Sequence, residues 1–131
     1  MKDMKNMKKE FSKLSNTILG CAIEVHKTLG PGLLESTYQQ CLARELKLND
    51  ISFKVEFPLP VEYKGVYIEC GYRIDMLVEN EIILELKSVE ELKGIHEAQL
   101  LTYMKLAGMK QGFLINFIVR LLKDGLKSFI L

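Results

Sequence analysis

Tyr72-Arg73-Ile74-Asp75-Met76-Leu77-Val78, then Glu79-Asn80-Glu81, then Ile82-Ile83-Leu84-Glu85-Leu86-Lys87-Ser88 is the stretch on which the reading of this chain turns. Both outer runs are short, apolar and bounded by polar residues, so each reads as a strand, and the triplet between them as a hairpin loop. With three loop residues Asp75 falls opposite Glu85; a two-residue loop would put them out of phase. Glu85 and Lys87, two apart on one strand, point to the same side. Leu77 and Ile83 share that face with the three charges. A half-apolar face carrying charge is the composition of a partly enclosed site rather than of open surface.

The chemistry of such a site follows from its atoms. Two acceptor-only carboxylates, with the Leu86 carbonyl between Glu85 and Lys87, are hard oxygen ligands suited to Mg²⁺ or Mn²⁺ and not to zinc. An ammonium beside them can act on water or screen phosphate charge, which is the equipment for phosphodiester hydrolysis. The tripeptide alone carries no signal, because Glu-Leu-Lys occurs at 45–47, 85–87 and 91–93. Only the middle copy lies in an apolar strand preceded by a hairpin carrying an aspartate. A solvated strand face with a cross-strand ion pair meets the same pattern.

Upstream, Leu14, Ile18, Cys21, Ala22 and Val25 recur at helical steps from Ser12, and Leu29-Gly30-Pro31-Gly32 stops that helix. A second helix is expected from Leu33 to Leu48, burying Leu34, Tyr38, Cys41, Leu42 and Leu46. The period then becomes two: Phe53, Val55, Phe57 and Leu59 alternate with polar residues and proline, and Val61–Tyr63 and Val66–Ile68 flank a Lys64-Gly65 turn. Downstream, Glu90 to Gly108 reads as a helix with Ile95, Leu100, Tyr103 and Leu106 near one face. Gly112–Phe117 reads as a strand covered on both faces, and Leu126–Leu131 as a last strand. This order predicts an α+β domain with helices on a mixed central sheet.

A chain of 131 residues suits one domain. With 48% hydrophobic and 27% charged residues, bulk disorder is excluded, and no apolar run is long enough to span a bilayer. Cys21, Cys41 and Cys70 fit neither a disulfide framework nor a CxxC zinc site, so a cytoplasmic location with reduced thiols is expected. Net charge is +1, so any nucleic-acid partner must be met by local patches. Residues 1–10 are expected to form a flexible basic arm, and 11–131 the single domain. Lys9 and Lys13 belong to a lysine run suited to phosphate contact or to solubility. Arg73, Arg120 and His96 are further phosphate-contact candidates.

Gly32-Leu33-Leu34-Glu35-Ser36-Thr37-Tyr38 resembles the signature that gives the bacterial and archaeal GxxExxY proteins their name. Asp75, Glu85-Leu86-Lys87, His96-Glu97-Ala98-Gln99-Leu100 and Leu114-Ile115-Asn116-Phe117 follow in the order that family shows. The likeness runs from about Phe11 to Leu131. The family resembles the PD-(D/E)XK nuclease superfamily, which implies a restriction-endonuclease-like fold with an αβββαβ core and Mg²⁺ (or Mn²⁺) at the meander. It implies that Asp75, Glu85 and the Leu86 carbonyl hold the metal and that Lys87 is the catalytic lysine. Glu35 and Gln99 would be supporting catalytic groups, and Gly32 and Tyr38 motif positions. Ile74 stands where the superfamily name has proline. Nucleic acid, DNA rather than RNA, is the implied substrate, with a homodimer or partner supplying the specificity that so short a chain lacks. The alternative is the same fold as a non-catalytic module for protein or nucleic-acid binding.

Overall fold

The structure, a computed structural model, describes residues 12–131. The expected basic arm, Lys9 included, lies outside the described residues. Helix α1 (Lys13–Leu29) opens on Ser12, whose side chain accepts from the Ser15 N–H, and α2 (Glu35–Leu48) follows the Gly-Pro-Gly loop. Strands β1 (Phe53–Pro58), β2 (Val61–Tyr63), β3 (Val66–Ile68), β4 (Arg73–Val78) and β5 (Ile82–Lys87) follow, but not as the continuous meander expected, since β1 pairs with β4 and the β2–β3 hairpin stands apart. Helix α3 (Gly94–Ala107), β6 (Gln111–Asn116), a 3₁₀ turn (Leu122–Gly125) and β7 (Leu126–Ile130) complete the chain.

The five-stranded sheet has the order β1-β4-β5-β6-β7, antiparallel except for the parallel β5–β6 pair, while β2 and β3 form a separate hairpin. The fold is thus α+β with a mixed sheet between helices. One face buries Ile18, Ala22, Tyr38, Leu42 and Leu46 of α1 and α2 against Met76, Leu84, Phe113 and Phe117. The other buries Leu100, Tyr103 and Met104 of α3 against Leu77, Ile83 and Leu114. Gly112 lets α3 come this close: a Cβ there would lie 2.8 Å from the Met104 Sδ. Strand β6 lies between these two faces and is buried from Gly112 to Asn116, as its continuous apolar sequence predicts.

Several expectations need correction. Leu34 is 74% exposed, because α2 begins one residue later and Leu34 caps it from extended backbone. Helix α3 begins at Gly94 rather than Glu90, with Ile95 and Leu106 exposed and Met104 in the core. This helix is apolar on too many sides for spacing to identify its buried face. Strand β1 does not alternate throughout. Phe53 packs with the α1–α2 core and Phe57 with the α3 core, although four residues apart they should share a face. Between them Glu56 takes a left-handed φ of 47° and drops out of the register with β4. Among the described residues no helix is long and apolar enough to cross a membrane.

Candidate active site

The β4–β5 ladder pairs Val78 with Ile82, Leu77 with Ile83 and Met76 with Leu84, so the three-residue loop sets the expected phase and puts Asp75 next to Glu85. At that next step backbone pairing gives way to side chains. The Leu86 N–H donates to Asp75 Oδ2 (2.8 Å), and the Asp75 N–H donates to Glu85 Oε1 (3.2 Å). Gln39 Nε2, from α2, donates to the Asp75 carbonyl (2.9 Å). The strands diverge here with two carboxylates between them. Both strands are interior to the sheet, so the cluster lies at the end of central strands and not at a sheet edge.

Burial dominates the electrostatics. Glu85 is 5% exposed. Desolvation first, and the neighbouring Asp75 charge second, push its pKa up to about 8. Asp75 is also raised, by burial and then by the charges of Glu56 and Glu35, against the opposing pull of the Leu86 N–H and Lys87. Lys87, half-buried, lies near enough to favour the charged form of both acids. Among the described residues the only ion pair within 4.0 Å is Lys127–Glu97, so neither acid has a direct cationic partner. A depression of about 220 Å³ is lined by Glu35, Ser36, Gln39, Glu56, Asp75 and Leu86.

The oxygen donors suit a hard divalent cation: half-buried Asp75 and buried Glu85 each keep an oxygen beyond the backbone bond. The Leu86 N–H faces β4, while the next carbonyl, of Lys87, accepts from Phe117 on the β6 side. Strand alternation therefore turns the Leu86 carbonyl toward the divergence as well. Among the described residues no three Asp, Glu, His or Cys side chains stand together as a ready metal cluster.

The GxxExxY residues hold the neighbouring loop. Gly32 has φ 99°, a conformation that suits glycine. Tyr38, fully buried and stacked on Phe117 at 4.3 Å, donates its hydroxyl proton to the Gly30 carbonyl (2.6 Å) and accepts from the Leu33 N–H (3.1 Å). Glu35 Oε2 accepts from the Ser88 N–H (3.0 Å), tying α2 to the end of β5. On the opposite side of the sheet, Gln99 Nε2 donates to the Tyr103 hydroxyl (2.8 Å). Burial raises the Tyr103 pKa against the pull of the Gln99 hydrogen bond, and the Glu85 and Asp75 charges raise it further.

The other candidates separate. His96 Nδ1 accepts from the Lys93 N–H (3.0 Å) at the start of α3 and lines a different depression with Val89, Glu90 and Glu91. Arg73 is exposed at the first position of β4. Lys13 begins α1, whose first turn reaches Gln111 at the start of β6, whereas Leu86 and Lys87 pair with Ile115 and Asn116 at its end. Lys13 is therefore at the other end of the sheet. Sequence reading missed Glu56, whose alternation marked it as a solvent-facing strand residue. It also missed the part played by Gln39, whose Nε2 lies 3.4 Å from Glu56 Oε1 besides bonding Asp75.

Neither curated proteins nor solved structures yielded a match. A family profile described as the PD-(D/E)XK nuclease superfamily matches residues 12–129, which takes in both core faces, the diverging strands and the Glu85-Leu86-Lys87 run. The chain belongs to the PD-(D/E)XK nuclease superfamily.

Proposed function

We propose that the protein is a divalent-metal-dependent nuclease, of the branch marked by Gly32, Glu35 and Tyr38, that hydrolyses phosphodiester bonds of nucleic acid. The observation that carries this reading is the pair of carboxylates, Glu85 buried and Asp75 half-buried, at diverging central strands with no direct cationic partner among the described residues. Two such groups repel unless a proton or a cation lies between them. Asp75, Glu85 and the Leu86 carbonyl would hold Mg²⁺ or Mn²⁺. When bound, the cation supplies Lewis-acid polarisation of the phosphoryl group and neutralises its charge.

The chain's own groups do the remaining work. Lys87, on the same side of β5 as Glu85, presents an ammonium to the charge that develops on the phosphoryl oxygens and orients the attacking water. It cannot ligate a cation while protonated, so its role is separable from metal binding. Glu35 is a positioning residue, holding the Ser88 end of β5 against α2. Gln39 fixes the main chain at Asp75, and Gln99 orders Tyr103 on the α3 side. Glu56 adds negative charge to the depression that Asp75 and Leu86 line.

The test is a cleavage assay on single- and double-stranded DNA and RNA with Mg²⁺ or Mn²⁺, run beside Asp75→Ala and Lys87→Ala. Asp75→Ala should lose both cation binding and cleavage. Lys87→Ala should keep cation binding and lose about 10²–10³ in rate, as expected for one transition-state contact. DNA is the expected substrate. If no nucleic acid is cleaved by the wild-type protein, the non-catalytic module takes the place of this reading.

A further inference from the structure

A second surface feature lies beyond the Gly30–Leu33 loop from the carboxylates. The last turns of α1 (Ile23, His26, Lys27), the loop residues Gly30 and Pro31, and the Arg120–Lys123 segment enclose an open groove of about 660 Å³. Its floor is apolar: Ile23 and Leu121 are half exposed, and Leu122 is buried beneath. Its rim is cationic. Lys27, Arg120 and Lys123 are exposed, and among the described residues no acidic one lines the groove and none of the three cations has a carboxylate within 4.0 Å. His26 belongs to the wall rather than the rim, since its Nε2 bonds the Val119 carbonyl at 2.7 Å and its ring lies 6.3 Å from that of Phe117.

The groove and the site already described flank the same loop. The carboxylate depression shares Glu35 and Ser36 with a shallower one lined by Leu33, Leu34 and Ser88. That one abuts the same Gly30–Leu33 loop whose other end forms the groove wall. Tyr38 and Ser88 pin this loop, bonding Gly30 and Leu33 respectively, so the path runs over a fixed surface. A molecule lying along it passes from clustered carboxylates, across Leu33 and Leu34, to a row of unpaired cations above an apolar floor. Near-neutral net charge makes such a local concentration of cations the informative feature.

We propose that this groove binds the flank of the polynucleotide strand whose phosphodiester is placed at Asp75 and Glu85. Lys27, Arg120 and Lys123 meet its phosphates, and unpaired bases lie on Ile23 and Leu121. The inference rests on the nuclease reading, and it deepens it by assigning a single-stranded segment to one side of the cut. A cationic rim tracks a backbone without reading sequence, and an apolar floor accepts the faces of unpaired bases. An acidic protein segment is the other macromolecule with matching charge. The position of the groove, one loop away from a phosphodiester-directed site, favours the nucleic acid.

Binding is measured without turnover, by fluorescence anisotropy of labelled oligothymidylate, oligouridylate and a DNA duplex in EDTA over a range of salt concentrations. The proteins are the wild type, the triple variant Lys27→Ala/Arg120→Ala/Lys123→Ala, and a control triple, Lys47→Ala/Lys54→Ala/Lys105→Ala. The control removes the same charge from residues outside the groove. All three substitutions are at exposed positions in each variant, and circular dichroism checks that the fold persists. The groove variant should bind single strands about tenfold or more weakly. Its plot of log affinity against log salt should flatten by about 2, from roughly 0.7 per lost phosphate contact, while the control follows wild type. The oligothymidylate and oligouridylate arms tell DNA from RNA, and tighter binding of duplex than of either single strand would overturn the single-strand assignment. Equal affinity and slope for wild type and groove variant would overturn the inference and leave an acidic protein segment as the occupant. A wild type that binds no polynucleotide would overturn the nuclease reading itself.

Discussion

The two ends of the β4–β5 hairpin are built from the same pair of strands and obey different rules. At the turn end Val78, Ile82 and Ile83 are almost fully buried, backbone pairs with backbone, and Glu79 and Asn80 turn the chain with left-handed φ of 52° and 53°. At the open end the ladder stops, and the carboxylates of Asp75 and Glu85 take the N–H groups that a neighbouring strand would otherwise satisfy. Burial that stabilises the first end opposes the charge of the second. The contrast shows where the fold has traded packing for chemistry: local departures from the rules of a stable sheet concentrate at functional sites.

The largest separation of the two ends comes from truncation. Leu84 is fully buried and pairs with Met76 at the last regular step. Leu84→Ala should cost about 2–5 kcal/mol of unfolding free energy, from lost transfer energy and the cavity left behind. Urea denaturation measures it. A loss below about 1 kcal/mol would mean the turn end is not the anchor described here.

The next effect is in the opposite direction and depends on pH. Glu85 in the folded state holds its proton up to about pH 8, whereas its ordinary value is 4.5. Its contribution to stability is therefore full below about 4.5 and is lost as pH rises toward 8, levelling off above that. In EDTA the melting temperature should fall across this window. Glu85→Gln, which cannot ionise, should flatten that fall and melt above wild type at pH 9, by more than about 1 kcal/mol in free energy. Added Mg²⁺ should oppose the trend, because the cation competes with the proton and its stabilising effect grows with pH. A wild-type profile in EDTA that rises through this range would refute the burial argument.

The smallest effect concerns strain. Glu56 holds φ 47° at the one β1 position without a β4 partner. Glu56→Gly should relieve the left-handed backbone and raise stability by about 0.5–1 kcal/mol, while weakening cation affinity by removing one nearby negative charge. Loss of stability with unchanged affinity would show that Glu56 is a packing residue only.

How much of this is legible in sequence depends on the range of the interaction involved. The phase of Asp75 and Glu85 follows from counting three loop residues, a purely local matter, and the ladder carries it through. The loop role of Gly32 and Tyr38 is likewise written within a few residues. The interior position of β4 and β5 is not, because it depends on β6 arriving beside β5 after a helix. Glu56 is hidden for a different reason. A glutamate in an alternating run reads as a solvated strand position, and nothing in its neighbours announces a left-handed backbone. Glu90 to Lys93 suits a helix by composition, yet Asn116 bonds both the N–H and the carbonyl of Val89 and keeps that segment in a loop, a contact no local pattern announces.

The central claim is that half-buried Asp75 and buried Glu85 stand together in order to hold a cation. Titration calorimetry with Mn²⁺ on the wild type and on Asp75→Asn/Glu85→Gln tests it directly, without requiring a substrate. Saturable binding by the wild type, with a heat that varies with the ionisation enthalpy of the buffer because a proton leaves the carboxylates, is the predicted result. The double variant, isosteric and still folded, should bind none. Equal binding by the two proteins, or no binding by the wild type, would contradict the account.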